Sequence, residues 1–231
     1  MSSNETIKPA GFSAFNYILT ALFLGAVWGF FEVVFKDVLS MGGKPFASAT
    51  MTGIGVALMA FGYALFKRPG MFFTIAAFTI FARMIIVPVL GCSPMCRANA
   101  VVALALLGAS SALAFGLASR VSKNTLKTGG LTAGAGVLVS GAMFYPAGLA
   151  CAPCQYLQNF VTSGGFATFM TVEVIGWAVF SAVLFYPGYL VGMKAVETVN
   201  SWREARPVPY YAALATGSVV MMFATGLILL P

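Results

Sequence analysis

The sequence predicts an all-α, polytopic membrane bundle of six to seven transmembrane helices that forms a single transmembrane domain over residues 1–231. Hydrophobic residues make up 60% of the chain, charged residues only 8%, and the mean hydropathy is +0.92. A soluble core cannot absorb so much apolar surface, whereas runs of about 20 apolar residues are typical of helices that cross a bilayer. No Pro-rich linker or polar domain interrupts the chain.

Seven apolar stretches of suitable length follow one another along the chain. They cover Phe12–Val34, Pro45–Phe66, Met71–Leu90, Asn99–Ser119, Gly129–Leu149, Phe166–Gly188 and Tyr210–Leu230. The first is too long for a signal peptide, and no basic start or small-residue cleavage site accompanies it, so it is interpreted as a span. Between the fifth and sixth spans, the segment CQYLQNFVTSGG predicts a short interfacial or re-entrant helix.

Basic residues divide unequally between the two sets of loops. The N-terminus and the second, fourth and sixth loops hold nine, against three in the opposite loops: Lys8, Lys67, Arg68, Arg120, Lys123, Lys127, Lys194, Arg203 and Arg206 against Lys36, Lys44 and Arg97. The positive-inside rule therefore predicts a multi-pass protein of the cell inner (cytoplasmic) membrane with a cytoplasmic N-terminus. The net charge of +7 reflects this topology and does not indicate a nucleic-acid partner.

Ionisable side chains inside the spans are costly and are candidates for function. Glu32, Arg83 and Glu173 all fall in the predicted outer half of the membrane. Trp28 precedes Glu32 by four residues and Trp177 follows Glu173 by four, so each carboxylate shares a helix face with an indole. These five residues are the predicted substrate-binding set, because aromatic walls and fixed charges together recognise a small, flat, polar molecule.

Simpler pairings of these charges compete with that interpretation. Arg83 and Glu173 are able to form an internal ion pair that fixes the helix register. Lys36 follows Glu32 by four residues and is able to pair with it on one helix face.

The four cysteines of the chain lie in two predicted outer loops, Cys92 with Cys96 and Cys151 with Cys154. Four interpretations stay open: disulfides that staple the loops, a metal ion or iron–sulfur cluster held by four thiolates, a redox-active Cys-Ala-Pro-Cys, and simple packing. An oxidising outer face favours disulfides. The chain contains no histidine, which removes the commonest haem and copper ligand.

Small residues at helical spacing mark the first span, at Ala21, Gly25 and Gly29. Such a ladder either packs against another helix of the same bundle or docks a second membrane subunit.

The chain resembles the substrate-binding S components of energy-coupling factor vitamin transporters, nearest to the thiamin-precursor type. The stretch YALFKRPGMFFTIAAFTIF, Tyr63–Phe81, looks like that group's junction between the second and third helices. The first-span ladder is similar to the family's docking motif, and the run from Gly164 to Val196 is laid out like its late helices. The resemblance implies a ligand site under the first, third and fifth loops, at about Asp37–Lys44, Gly91–Arg97 and Cys151–Gly165.

The leading hypothesis is a membrane subunit that binds a small molecule or ion at the outer face. Uptake would need a separate coupling subunit or larger membrane complex, since the chain lacks the phosphate-binding motif G-x-x-x-x-G-K-[ST]. This favours a transport or complex subunit over an enzyme. The alternative is a redox or electron-transfer subunit whose cysteines bind a cluster or metal or cycle as dithiol and disulfide. Visible absorbance or bound iron in an anaerobic preparation would identify a cluster.

Overall fold

The computed structural model describes residues 13–35, 44–87, 98–121, 124–151, 155–161 and 163–228, which form a helical bundle without strands. The described helices are α1 (Ala14–Val34), α2 (Lys44–Phe66), α3 (Gly70–Ile86), α4 (Ala98–Val121), α5 (Thr125–Cys151), α6 (Gln155–Gln158), α7 (Gly165–Phe169), α8 (Ile175–Ala205) and α9 (Pro207–Ile228). A π-helical turn, Met170–Val174, joins α7 to α8 without a break.

Six of these helical stretches are long and apolar enough to cross a membrane. They are α1, α2, α4, α5, the continuous rod from α7 to α8, and α9. The seventh apolar helix, α3, is shorter, with 17 residues, and carries Arg83 in its last turn. The prediction of an all-α, multi-pass membrane bundle with six to seven spans is confirmed, and the predicted span boundaries agree with most helix ends to within a few residues.

Six helices pack against one another in a closed ring. The order around the ring is α1, α3, α4, α5, α8 and α2, and α2 contacts α1 again. Helix α9 lies outside this ring, chiefly against α1. Helices that follow one another along the chain run in opposite directions, so their termini gather at the two ends of the ring.

The first end, here called the basic end, carries exposed cationic side chains at Lys67, Arg68, Arg120, Lys127, Lys194 and Arg206. The opposite end is here called the cavity end. It contains the C-termini of α1, α3 and α5 and the N-termini of α2, α4 and α7. By the positive-inside rule, the cavity end is expected to face outwards.

Close helix packing at α1 depends on its small residues. A methyl group on Gly25 would lie 2.8 Å from Cβ of Phe78 and 2.9 Å from the backbone nitrogen of Thr79 on α3. The Thr79 hydroxyl donates to the Gly25 carbonyl at 3.2 Å, and Gly29 faces Ala82 of the same helix. Gly25 and Gly29 are therefore used inside the bundle, which favours the internal-packing interpretation of this ladder over a docking face.

Helices α2 and α8 approach closely in the same way. A methyl group on Gly188 would lie 2.2 Å from the carbonyl oxygen of Ala57, and one on Gly192 would lie 2.7 Å from that of Phe61. Side chains at either position would force the two backbones apart, so this small-x-x-x-small pair sets the distance between α2 and α8.

Aromatic rings fill the half of the bundle near the basic end. Phe115 lies between Phe72 and Phe185, with ring centroids at 4.5 and 5.1 Å in stacked geometry. Tyr189 stacks on Phe185 at 5.6 Å, and Tyr63 contacts Phe72, Phe115 and Tyr189. All five of these residues are at most 5% exposed, so this half is a filled core.

The rod formed by α7, the π turn and α8 spans Gly165–Ala205 and has 41 residues. At 1.5 Å per residue it is about 60 Å long, roughly twice the thickness of the hydrocarbon core of a bilayer. The predicted sixth span ended at Gly188, whereas the helix continues to Ala205 at the basic end. Charged residues after Gly188 mark the end of the apolar span, but they do not end the helix.

Candidate functional site

A cavity of about 640 Å³ lies between the helices at the cavity end. Its polar lining is unusual for a membrane bundle and includes Glu32, Ser48, Thr52, Arg83, Asn99, Ser140 and Tyr156. Trp28, Phe144 and Trp177 supply aromatic walls, and aliphatic side chains supply most of the rest. Its volume falls within the range of about 300–1,000 Å³ that is typical of small-molecule sites.

The structure brings four of the five predicted substrate-binding residues, Trp28, Glu32, Arg83 and Trp177, into the lining of this one cavity. Glu173 does not line the cavity and lies behind it, 3% exposed. Their role in binding stays a prediction.

The charged centre of the cavity is an ion pair between Arg83 of α3 and Glu32 of α1. The two side chains are 16% and 15% exposed, so each charge is largely desolvated and depends on the other. The alternative pairing of Arg83 with Glu173 is wrong, because the end of α3 lies beside α1. The pairing of Glu32 with Lys36 cannot be compared, since Lys36 lies outside the described residues.

Glu173 connects to the cavity through a single hydroxyl. The Ser48 hydroxyl of α2 donates to Oε2 of Glu173 at 2.9 Å, and the indole Nε1 of Trp177 donates to the same hydroxyl oxygen at 2.7 Å. The wide π turn, closed by the bond from the Ile175 nitrogen to the Met170 carbonyl, precedes Trp177 and contains Glu173. Turns of this kind are frequent at functional sites.

Trp28 forms a wall of the cavity because α2 has a glycine opposite it. A methyl group on Gly55 would lie 2.2 Å from the Trp28 ring. Trp28 is 1% exposed, and its indole Nε1 has no hydrogen-bond partner in the described part of the chain. A buried donor without a partner is costly, and it is often met by a ligand or by water.

Asn99, in the first turn of α4, was not predicted from the sequence. Its Oδ1 is buried next to Gly148 of α5 and lacks a hydrogen-bond donor among the residues that the structure describes. Ser48, Thr52 and Ser140 were missed as well. The available signal was the presence of polar side chains near the outer ends of apolar spans, a weaker signal than a full charge.

The predicted short helix between the fifth and sixth spans is confirmed as α6, Gln155–Gln158. Leu157 is fully buried in an aromatic cluster with Phe144 and Phe169, and Tyr156 reaches the cavity. The Tyr145 hydroxyl donates to the Phe160 carbonyl at 2.9 Å.

A double glycine closes the turn that follows α6. Gly164 has a φ of +82°, and any side chain on Gly165 would overlap the Phe160 carbonyl. These glycines let the chain return sharply into α7.

The cysteine predictions fall outside what the structure describes. Cys92, Cys96 and Cys154 lie in segments beyond the described residues, and Cys151 is described only as the last backbone position of α5. Within the described residues, no group of three or more His, Cys, Asp or Glu side chains is able to hold a metal ion. The disulfide, metal, cluster and redox interpretations remain predictions.

Comparison of the chain with models of known protein families, with curated proteins and with solved structures finds no match.

Proposed function

We propose that this membrane protein captures a small, flat, polar molecule in the cavity between its helices, as a binding subunit of an uptake system. The observation that carries the proposal is the combination of a cavity of about 640 Å³ with a desolvated Glu32–Arg83 ion pair and two polar atoms that have no partner among the described residues. An apolar bundle gains nothing in stability from such a lining, whereas a binding site needs it.

The two unpartnered atoms have complementary needs. Trp28 Nε1 requires an acceptor and Asn99 Oδ1 requires a donor, as judged from the described residues. A ligand that carries both a donor and an acceptor would satisfy both atoms, while Phe144 and Trp177 contact its faces. Molecules that lack these polar groups would leave buried atoms unpaired and would be rejected.

Uptake is proposed to require a separate coupling or energising partner, since the chain lacks a nucleotide-binding motif. A bundle of six ring helices with a site near one end is compatible with the proposed relationship to S components of energy-coupling factor transporters. The peripheral position of α9 leaves the ring itself with six helices, whereas the seven predicted spans exceed the six that are typical of S components.

Native mass spectrometry of the full-length protein, extracted in mild detergent, tests the proposal. We expect a retained small-molecule mass in the wild-type protein, and a partner subunit in the gentlest preparations. Asn99→Leu and Trp28→Phe should each lower retention by about tenfold, because each removes a polar partner from a buried site.

The matched control is Trp202→Phe, since Trp202 is 43% exposed on α8 near the basic end and should leave retention unchanged. The proposal is wrong if the wild-type protein retains no small molecule and no added compound binds to it. Equal retention by Asn99→Leu, Trp28→Phe and wild type would place the ligand outside this cavity.

A further inference from the structure

The described side chains at the cavity end leave one carboxylate without a cation beside it. They include two carboxylates, Glu32 and Glu173, and one cation, Arg83. Arg83 contacts Glu32. Glu173 accepts a hydrogen bond from the neutral Ser48, and no described cationic side chain lies within ion-pairing distance of it.

The position of Glu173 makes its negative charge costly. The residue is 3% exposed, in a helix that crosses the membrane. A carboxylate in such surroundings has lost most of its hydration and needs a positive charge or a proton nearby. Ser48 is a dipole and compensates only a part of that loss.

The cavity is the space from which a positive charge could act on Glu173. Ser48 contacts Glu173 on one side and lines the cavity on the other. Two charges separated by a side chain such as Ser48 interact more strongly inside a low-dielectric bundle than in water. A cation in the cavity would therefore interact with Glu173 without displacing the hydroxyl between them.

The aromatic side chains next to Ser48 also favour a positively charged ligand. Trp177 and Phe144 line the cavity and lie near each other, with ring centroids 6.4 Å apart. Aromatic faces attract cations, and tryptophan does so best. The Trp177 indole is held in place by its own bond to Ser48, so the ring and the carboxylate are oriented together.

We propose that the ligand of this cavity is an organic monocation, such as a protonated amine or an amidinium, and that Glu173 is its counter-charge. This inference rests on the proposed function of the cavity and specifies the class of ligand. An inorganic ion fits less well, since alkali and alkaline-earth ions need a shell of oxygen ligands. Much of this cavity is lined by side chains such as Met51, Leu104 and Phe144.

Three probes of similar size and different charge test the inference: benzylamine, benzyl alcohol and benzoate. The full-length protein with Trp202→Phe serves as the background, because its two remaining tryptophans, Trp28 and Trp177, both line the cavity. Binding is measured at neutral pH from the quenching of their fluorescence. Benzylamine should reach half-saturation at a concentration about tenfold lower than benzyl alcohol, and benzoate should bind most weakly.

Glu173→Gln in this background should remove the preference for benzylamine, because the amide keeps the hydrogen bond to Ser48 and loses the charge. Glu173→Asp keeps the charge and should retain a preference for benzylamine. That result would show that the loss of preference in Glu173→Gln comes from the lost charge and not from a folding defect. Glu197→Gln is the matched control, since Glu197 is exposed on α8 towards the basic end.

The outcomes separate this inference from the proposed function. Equal binding of benzylamine and benzyl alcohol would overturn the inference and leave the cavity as a binding site. Preference for benzylamine that survives Glu173→Gln would show that another group, or a proton on Glu173, balances the charge, and would also overturn it. Failure of all three probes to bind would count against both the inference and the proposed function.

Discussion

Helices α3, α4 and α8 each contribute to both ends of the bundle, and they do so with different chemistry. Towards the basic end they carry Phe72, Phe115 and Phe185, which stack on one another and fill the interior. Towards the cavity end the same helices carry Arg83, Asn99 and Trp177 around open space. Close packing of aromatic rings therefore stabilises the half near the basic end. The half near the cavity end is less closely packed and has a polar interior.

The largest expected effect concerns the aromatic stack of the basic half. Phe115→Ala should lower the free energy of unfolding by about 3 kcal/mol or more, because it removes the ring between Phe72 and Phe185. Phe144→Ala, in the wall of the existing cavity, should cost clearly less. Equilibrium unfolding in mild detergent measures both. Exposed Phe223 on α9 provides the control substitution to alanine, and equal losses at Phe115 and Phe144 would contradict the comparison.

The Glu32–Arg83 pair should give the next largest effect. Glu32→Gln or Arg83→Met alone leaves one charge without its partner and should cost about 2 kcal/mol, since both side chains are largely but not fully desolvated. The double variant should cost less than the sum of the two by about 1 kcal/mol or more, as coupled residues do. A double-mutant cycle in the same unfolding assay checks this. Additive losses would show that the two charges act independently.

A smaller effect is expected where the peripheral helix joins the ring. The Tyr210 hydroxyl of α9 donates to Oδ1 of Asn16 on α1 at 2.8 Å, and both residues are buried. Tyr210→Phe should cost about 1 kcal/mol and should speed hydrogen exchange in α9 more than in the ring helices. Tyr211→Phe, on the next residue, is the control. Uniformly faster exchange would mean that α9 is an integral part of the bundle.

The smallest expected effect is a pH dependence at the basic end. The Lys67 amine donates to the Tyr189 hydroxyl at 2.5 Å and lies 4.4 Å from the centre of its ring. Although much of Lys67 is exposed, this local desolvation lowers its pKa from 10.5 to about 8. The unfolded chain then holds the proton more tightly than the folded one, so stability from this group is fully present above pH 10.5 and is lost as pH falls through about 8.

Thermal unfolding between neutral and alkaline pH measures this dependence. Lys67→Met should flatten the rise in stability with pH relative to wild type, and Lys127→Met, at an exposed position on α5, should not. An unchanged slope in Lys67→Met would show that its amine is as well hydrated as an ordinary lysine.

Much of the candidate site could be predicted from the sequence, because full charges inside apolar spans are conspicuous. Trp28, Glu32, Arg83 and Trp177 were predicted in this way, and they line one cavity. The partner of Arg83 could not be predicted, since the spacing of Glu32 and Glu173 along the chain carries no information on which helix lies beside α3. Asn99 and Ser48 were missed because single neutral polar residues are common in membrane helices.

The sequence by itself determined that the chain is a helical membrane bundle, where its spans lie and which end carries the basic residues. These properties follow from composition and from the need of backbone polar groups in lipid to form hydrogen bonds within their own helix, and both act locally along the chain. Only the tertiary structure decided that α9 lies outside a ring of six helices and that Arg83 pairs with Glu32. It also decided that the Ser48 hydroxyl lies between Glu173 and the cavity. Those relations depend on which helices are neighbours, and glycines such as Gly25 and Gly188 determine that by allowing particular backbones to approach.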